Sequence, residues 1–343
     1  MKQLQIRGIQ KYFIKKSAWY LLTLFIAITL NFFLPRLIPG NPVAVIVTQV
    51  TAGITNEAAY QRIYDTYITM FGLDKPFWQQ YLTYLVNILQ GNFGISLYQY
   101  PRPVVDIIGE SIHWTLMLQI PAIITGWFIG NVLGALTAYR KGIFDKVFFP
   151  FFLFCSAIPA FGFAYSNLYI FSVKLGLFPG GLGYNFQMIP NWSNPAFILS
   201  VLNHYRLPFL TMVLVAIGGQ SLGMRQMSIY ELNADYVKYS RFMGIKDNKI
   251  VGYVFRNAML PQITGLALSL GTMIGGNLIA EIVFSYPGIG TTIYNAIRNQ
   301  DFPLISGCTL MIAMMVLAAN FIVDIICGFI DPRVRMTHQE EQG

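Results

Sequence analysis

A short polar segment between two long hydrophobic stretches reads Glu231-Leu-Asn-Ala-Asp-Tyr-Val-Lys-Tyr-Ser-Arg-Phe-Met-Gly244-Ile245. Its apolar and aromatic residues recur at helical spacing, at Leu232, Tyr236, Tyr239 and Met243. Gly244 follows them and can supply the left-handed turn that ends such a helix. The segment therefore predicts a short amphipathic helix. Its apolar face lies either on a lipid headgroup layer or in a groove of a soluble partner.

The composition indicates a protein of the lipid bilayer. Of the 343 residues, 55% are hydrophobic and only 11% are charged, whereas a soluble domain is about 25% charged. The net charge of +8 does not predict nucleic-acid binding, because the basic residues flank hydrophobic spans instead of forming a basic domain. The three cysteines form no Cys-x-x-Cys pair and the three histidines are scattered. Neither a disulfide framework nor a metal site is predicted.

Six stretches of about 20 or more apolar residues are long enough to cross the hydrocarbon core. They cover residues 18–37, 113–139, 147–173, 207–227, 259–284 and 304–330. The first stretch follows several basic residues, as a signal peptide would. Its apolar part is too long for one and no cleavage pattern follows, so we expect it to be retained. Three prolines within or at the ends of the stretches can bend helices, namely Pro121, Pro159 and Pro261.

The distribution of basic residues predicts the orientation. Most of the 23 Lys and Arg residues lie in the N-terminal segment, in the two segments 140–146 and 225–256, and in the C-terminal tail. The positive-inside rule places these parts, and therefore both termini, in the cytoplasm. The predicted division is a cytoplasmic segment 1–17, a first span 18–37, an extracytoplasmic loop domain 38–112, a transmembrane core 113–330 with a cytoplasmic loop 228–258, and a cytoplasmic tail 331–343.

The segments outside the spans differ in character. The loop 38–112 is too long for a simple connection, and residues 58–71 and 78–90 read as amphipathic helices. The segment 174–206 is rich in Gly, Pro and Asn and is predicted to be a loop with short turns. Aromatic residues of the outer loop can bind sugar rings or anchor the loop at the membrane interface, although helical spacing favours a packing role. They are Tyr60, Tyr64, Tyr67, Trp78, Tyr81, Tyr84, Tyr98 and Tyr100.

Two sequence patterns bear on chemistry. No Gly-x4-Gly-Lys-Ser/Thr loop occurs, so the chain cannot hold ATP phosphates in that way and any pumping must be fuelled by another chain. The run Gly219-Gln-Ser221-Leu-Gly223 matches the pattern around the nucleophile of serine hydrolases. It lies within a hydrophobic span, where small residues favour close helix packing. An intramembrane hydrolase using Ser221 stays open as the alternative.

Several segments are informative when taken together and in order: Arg36–Pro42, Gly72–Pro76, Gly91–Ser96, Asp235–Gly244, Arg256–Pro261, Glu281–Gly290, Asp301–Pro303 and Asp331–Arg335. They resemble the membrane subunit of an ABC importer of the dipeptide/oligopeptide/nickel permease family, specifically its B-like subunit. The resemblance implies an all-α integral membrane protein with the type I ABC importer permease fold, six transmembrane helices and both termini cytoplasmic.

The resemblance also assigns roles to residues. It implies that the segment around Gly244 is a coupling helix seated in a groove of a cytoplasmic ATPase. The residues of this chain implied to couple to the ATPase are Asp235, Tyr236, Lys238, Tyr239, Ser240, Arg241, Gly244, Ile245, Arg256 and Pro261. The family signature begins Glu-Ala-Ala six residues before the glycine, where this chain has Lys238-Tyr239-Ser240. The bulkier Tyr239 suggests a tailored groove on the partner. Apart from the resemblance, the position of Glu281 near the outer end of a span predicts a substrate path or gate at Glu281, Pro287 and Gly288, although Glu281 can equally reach water.

The implied partners are a second, C-like permease subunit, two ABC ATPase subunits, an extracytoplasmic substrate-binding protein and membrane lipid. ATP and Mg would be bound by the partner subunits, with no cofactor in this chain. The expected location is the cytoplasmic membrane of a prokaryote, as a multi-pass protein without enzymatic activity of its own. The expected substrates are dipeptides or oligopeptides, with oligosaccharides second and nickel third. Whether the permease pair is a heterodimer or a homodimer stays open.

Overall fold

The computed structural model describes residues 2–37, 47, 57–70, 74–140, 142–276 and 278–330. Within these ranges the chain is helical, and no β-pairing is found there beyond one isolated bridge between Ile95 and Pro103. The helices are α1 Lys2–Leu37, α2 Glu57–Met70, α3 Phe77–Leu89, α4 Val104–Tyr139, α5 Ile143–Ala157, α6 Ala160–Asn167 with a π-helical extension Leu168–Lys174, α7 Pro195–Leu232, α8 Asp235–Phe242, α9 Asp247–Gly276, α10 Leu278–Val283, α11 Ile289–Arg298 and α12 Phe302–Ile330. The prediction of an all-α protein is confirmed for this part of the chain.

Four helices of the described residues are long and apolar enough to cross a membrane. They are α4, α7, the part of α1 at Lys16–Phe33 and the part of α12 at Phe302–Ile322. Helices α5 and α6 with its extension make a fifth candidate, bent by 105° at a short break. The break contains Pro159, one of the prolines expected to bend a span. A multi-pass membrane protein is therefore confirmed, whereas six spans and the orientation of the termini stay predictions.

The predicted fifth span, residues 259–284, is not among these candidates, which were sought within the described residues only. Helix α9 covers its first part as far as Gly276, and α10 covers Leu278–Val283. The outer helices expected at 58–71 and 78–90 are present as α2 and α3. The predicted loop 174–206 is wrong in its second part, because α7 already begins at Pro195. Asn194 caps that helix by accepting a hydrogen bond from the amide of Ala196, and proline is favoured in the first turn of a helix.

The described residues form two compact units. The first contains those up to residue 113 together with 291–317, and the second contains those from 114 to 290 together with 318–330. The second unit holds the larger apolar core, in which Trp114, Leu118, Phe152, Phe197 and Met212 pack together. Cys155 and Cys308 are free, buried thiols.

Polar residues hold the first unit together. The Asn31 amide on α1 donates to the Ser306 carbonyl oxygen at 2.9 Å and accepts from the Thr309 hydroxyl at 2.7 Å, so α1 is tied to α12. The Asp301 carboxylate is fully buried and accepts from the hydroxyl of Ser96 and from two amides of the following loop. It also accepts from the amide of Leu304, and it thereby caps α12.

Part of the outer aromatic set has a structural role. The rings of Tyr81 and Tyr84 on α3 lie 5.2 and 5.3 Å from the ring of Phe32 on α1, centroid to centroid. Tyr60 stacks on Tyr64 one helical turn away. For these four tyrosines, the packing interpretation fits the structure.

Candidate functional site

The polar segment forms a short helix with a well-defined end. Helix α8, Asp235–Phe242, lies between the long helices α7 and α9. At its carboxyl end the Ile245 amide donates to the Ser240 carbonyl at 3.1 Å and the Gly244 amide donates to the Arg241 carbonyl at 3.0 Å. Gly244 has φ of +71°. These two bonds with a left-handed glycine are a Schellman motif, which the sequence predicted through the turn at Gly244.

One face of α8 packs against its own chain. Val237 is fully buried and forms a small cluster with Ile250 and Val254 of α9. Leu232, Tyr236 and Ile245 complete the cluster. This packing holds the helix on the beginning of α9.

A hydrogen bond reinforces the attachment. The Tyr236 hydroxyl donates to the Glu231 carboxylate at 2.8 Å. Burial and this carboxylate together raise the pKa of the Tyr236 hydroxyl above its ordinary value. The tyrosine therefore stays a protonated donor at neutral pH, and the bond between α8 and the end of α7 persists.

The opposite side of the segment exposes large apolar side chains. Tyr239 is 65% exposed, Phe242 84% and Met243 70%. We call these three residues the apolar tip. The sequence predicted a single apolar face that also contained Leu232 and Tyr236, and this grouping is wrong because those two side chains join the internal cluster. Phe242 was missed, although an aromatic residue two positions before the terminating glycine was a visible signal.

The charged residues of the segment surround the apolar tip. Lys238 pairs with Asp235 at 3.0 Å, and Arg241 approaches Asp247 at 3.9 Å. All four side chains are more than half exposed, so each pair contributes at most about 1 kcal/mol to stability. Such side chains can exchange these partners for groups on another protein. Arg256 and Pro261 lie on α9, beyond the internal cluster, and are exposed.

An ion pair joins α7, the helix that precedes α8, to the start of α5. The Arg225 guanidinium on α7 donates two hydrogen bonds of 2.9 Å to the Asp145 carboxylate at the start of α5. Its guanidinium carbon also lies 4.4 Å from the centroid of the Phe149 ring. A two-point pair of this kind holds both partners in one orientation. Because 80 residues separate the partners, no sequence pattern signalled the pair.

The proposed path residues come together in a buried turn within the second unit. The Glu281 side chain is fully buried and does not reach water. Its carboxylate accepts from the Gln119 amide at 3.1 Å and from the Gly290 backbone amide at 2.8 Å. Thr115 accepts from the Ile289 amide at 2.9 Å. These acceptors satisfy amides at the beginning of α11, which otherwise lack partners.

Gly288 is needed at this turn because of close contacts. A Cβ atom at Gly288 would lie 2.5 Å from the Glu281 carboxyl carbon and 2.6 Å from the Thr115 hydroxyl oxygen. Pro287 packs nearby, 2.6 Å from the position of a Cβ on Gly183. The turn is therefore a closely packed element, built around one carboxylate.

Ser221 lies at a close helix crossing. Its side chain is fully buried, and its hydroxyl donates to the Gly130 carbonyl at 3.0 Å. Gly126, Gly130 and Gly134 on α4 let that helix approach α7. A Cβ on Gly126 would lie 2.5 Å from the Ala216 Cβ, and one on Gly134 would lie 2.9 Å from the Ser221 Cα. No histidine hydrogen-bonds to Ser221 in the described residues. The site is a packing interface of the small-xxx-small type.

Ser221→Ala should therefore leave the activity of the protein nearly unchanged. The alanine removes one buried hydrogen bond and keeps the small volume, so we expect a loss of about 1 kcal/mol in stability. The uptake activity that the family resemblance implies, measured in membrane vesicles, should stay within about twofold of wild type. If the variant were inactive at normal membrane abundance, the assignment of Ser221 to packing would be contradicted.

Comparison with known proteins defines the class. Residues 130–336 match the family described as binding-protein-dependent transport system inner membrane component. This match includes the close helix crossing, α8 with the apolar tip and the turn at Glu281. The chain therefore belongs to the family of binding-protein-dependent transport system inner membrane components.

Relatives align over nearly the whole chain. A putative peptide permease protein of Brucella ovis is 34% identical over 90% of this chain and 93% of its own length. The dipeptide transport system permease protein DppB of Escherichia coli is 29% identical, with coverage of 94% and 98%. The oligopeptide transport system permease protein AppB of Bacillus subtilis is 29% identical, with coverage of 89% and 93%.

Proposed function

We propose that this chain is the B-like permease subunit of an ABC importer that moves dipeptides or oligopeptides into the cell by alternating access. The observation that carries the proposal is the near full-length similarity to permease proteins whose names specify peptides, dipeptides and oligopeptides. None of these three names specifies a sugar, so the peptide reading is preferred over the oligosaccharide one. The proposed chain has six spans with both termini in the cytoplasm, which places α8 on the cytoplasmic side.

The coupling role rests on the apolar tip. Exposed aromatic and methionine side chains on a short, firmly attached helix suit insertion into a groove of a soluble protein. Lys238 and Arg241 around the tip are available for acidic groups at the rim of such a groove. We assign this groove to one of two ATPase subunits, which bind ATP and Mg. The internal cluster and the pair of Arg225 with Asp145 would carry the motion of α8 to α5, α7 and α9.

The closely packed turn at Glu281 favours a positioning role for its residues at the gate, without direct contact with the substrate. Because Glu281 and Gly288 pack closely around the first amides of α11, this turn moves as one piece. We propose that Glu281, Pro287 and Gly288 position the outer end of the path. A second, C-like permease subunit would form the other side of the path, and an extracytoplasmic binding protein would deliver the peptide.

Uptake should depend on the ATPase partners. Reconstitute the complete importer in liposomes with its binding protein and a radiolabelled dipeptide, and compare wild-type ATPases with ATPases unable to hydrolyse ATP. We expect peptide accumulation with the wild-type ATPases and a loss of at least about 100-fold without hydrolysis, because this chain has no Gly-x4-Gly-Lys-Ser/Thr loop with which to hold ATP. Undiminished uptake with inactive ATPases would contradict the proposal, and so would uptake of sugars in place of peptides.

A further inference from the structure

A cavity of about 260 Å³ lies within the second unit. Helices α4, α6, α7, α9 and α10 all contribute to its wall, and α7 contributes the most residues. Several wall residues are small, namely Ala122, Ala160, Ala216, Gly219 and Ala280. A volume of this size corresponds to about nine water molecules at about 30 Å³ each. It can therefore hold a small solute or a short piece of an extended chain.

The polar groups of the wall carry no charge. They belong to Thr211, Gln220 and Ser269, and among the described residues of the wall no side chain is an acid, a base or an aromatic ring. The Thr211 oxygen accepts from the Asn167 amide at 3.1 Å, which leaves the hydroxyl proton of Thr211 to be donated elsewhere. A neutral wall neither attracts nor repels charged side chains of a solute, and it does not supply the ring face on which a sugar would stack.

The environment of the Gln220 side chain indicates that the cavity binds a ligand. It lies in the membrane-spanning helix α7 and is partly buried, and no hydrogen bond to its amide group is found within the described part of the chain. An amide that faced hydrocarbon without a hydrogen-bond partner would be strongly unfavourable, because it loses the hydrogen bonds that it makes in water. Polar groups inside spans accordingly face water-filled cavities or partners. The Gln220 amide offers one acceptor and two donors, which complement the N–H and C=O of a peptide bond.

We propose that Gln220 binds the backbone of the transported peptide in this cavity during translocation. The proposal rests on the function proposed above and adds the chemistry of the contact. Recognition through the peptide bond, in a neutral cavity, allows peptides with different side chains to pass. A lipid chain would leave the amide unpaired, and a helix of the second permease subunit is the competing occupant that the experiment separates.

The test compares a peptide with its ester analogue. Reconstitute the full importer in liposomes with saturating binding protein, preload that protein with alanyl-alanine or with the matching depsipeptide, and measure single-turnover uptake. Preloading removes the selectivity of the binding protein from the measurement. The depsipeptide lacks the N–H group, so wild type should transport it about tenfold more slowly. In Gln220→Leu this difference should disappear because peptide transport falls to the level of the analogue.

A matched control and a second variant complete the design. Gln226→Leu makes the same change on an exposed glutamine of α7 that does not line the cavity, and it should keep the wild-type preference. Gln220→Glu places a charge in the neutral wall and should favour alanyl-lysine over alanyl-aspartate by about tenfold, whereas wild type should show no such preference. This gain of selectivity cannot arise from misfolding.

Three results would overturn the proposal. The first is an unchanged preference for peptide over depsipeptide in Gln220→Leu. The second is the absence of charge selectivity in active Gln220→Glu. The third is a loss of copurification of the second permease subunit in Gln220→Leu without a change in selectivity, which would assign Gln220 to the subunit interface. Failure of the proposed function itself would look different, because wild type would then show no ATP-dependent peptide uptake.

Discussion

Gly244→Pro should abolish ATP-driven uptake while the chain stays inserted in the membrane. The native residue has φ of +71°, whereas proline holds φ near −65°. The substitution also removes the amide that donates to the Arg241 carbonyl. Together these effects cost about 3 kcal/mol or more, which corresponds to a loss of about 100-fold in the population of the intact motif. Without it, Ile245 leaves the internal cluster and the apolar tip loses its fixed direction.

The measurement is uptake into membrane vesicles, normalised to the amount of permease in the membrane. Gly244→Asn is the matched control, because asparagine tolerates the left-handed conformation and keeps the backbone amide. A Cβ at Gly244 meets no atom within 4 Å, so this control introduces no clash. We expect Gly244→Asn to retain most of the uptake. Normal uptake by Gly244→Pro would show that the end of α8 has no part in coupling.

Gly134→Leu should prevent the accumulation of folded permease. A Cβ at this position would lie 2.9 Å from the Ser221 Cα and 3.0 Å from the Ser221 carbonyl carbon. Backbone atoms cannot turn aside as a flexible side chain can, so α4 and α7 must separate. Separation breaks the bond from the Ser221 hydroxyl to the Gly130 carbonyl and opens the packed interface. We expect a cost of about 3 kcal/mol or more and at least a tenfold lower level of detergent-stable protein.

The control for this prediction lies on the same helix. Gly109 is exposed on α4, and a Cβ there meets no atom within 4 Å, so Gly109→Leu should accumulate like wild type. The level of monodisperse protein, measured by fluorescence-detected gel filtration, decides between the two outcomes. Equal levels of Gly134→Leu and Gly109→Leu would contradict the close helix crossing.

Local patterns in the sequence predicted the elements of the fold well where they are governed by neighbouring residues. The turn at Gly244 followed from glycine's access to positive φ, and helices α2 and α3 followed from their amphipathic spacing. The beginning of α7 was predicted too late, because the Gly, Pro and Asn content of the segment outweighed the capping signal of Asn194 with Pro195. One local cue was present and was given too little weight.

The orientation of side chains on α8 was harder to predict. Helical spacing grouped Tyr236 with Tyr239, yet the first packs on α9 and the second is exposed. A periodic pattern identifies an apolar face but does not tell whether its own chain or a partner covers it. That choice depends on where α9 runs, and the tertiary structure is needed to show it.

At Glu281, too, the sequence identified the residues and only the tertiary structure identified their partners. The sequence marked Glu281 and Gly288 as related, but water and a substrate path were equally good environments for the carboxylate. The structure places Gln119 and the amide of Gly290 against it, and Gln119 lies 162 residues away in the chain. Contacts between such distant residues leave no periodic trace in a single sequence.

The amino-acid order alone determined that this chain is a helical membrane protein, that it contains no Gly-x4-Gly-Lys-Ser/Thr loop and that a short helix ends at Gly244. These properties depend on hydrophobicity, spacing and backbone preference, which act over a few residues. Only the folded chain decided that Ser221 packs against Gly130, that Arg225 pairs with Asp145, and that Gln220 lines a cavity. Those features require contacts between helices that are distant in the sequence, and the packing of the whole unit decides which helices come into contact.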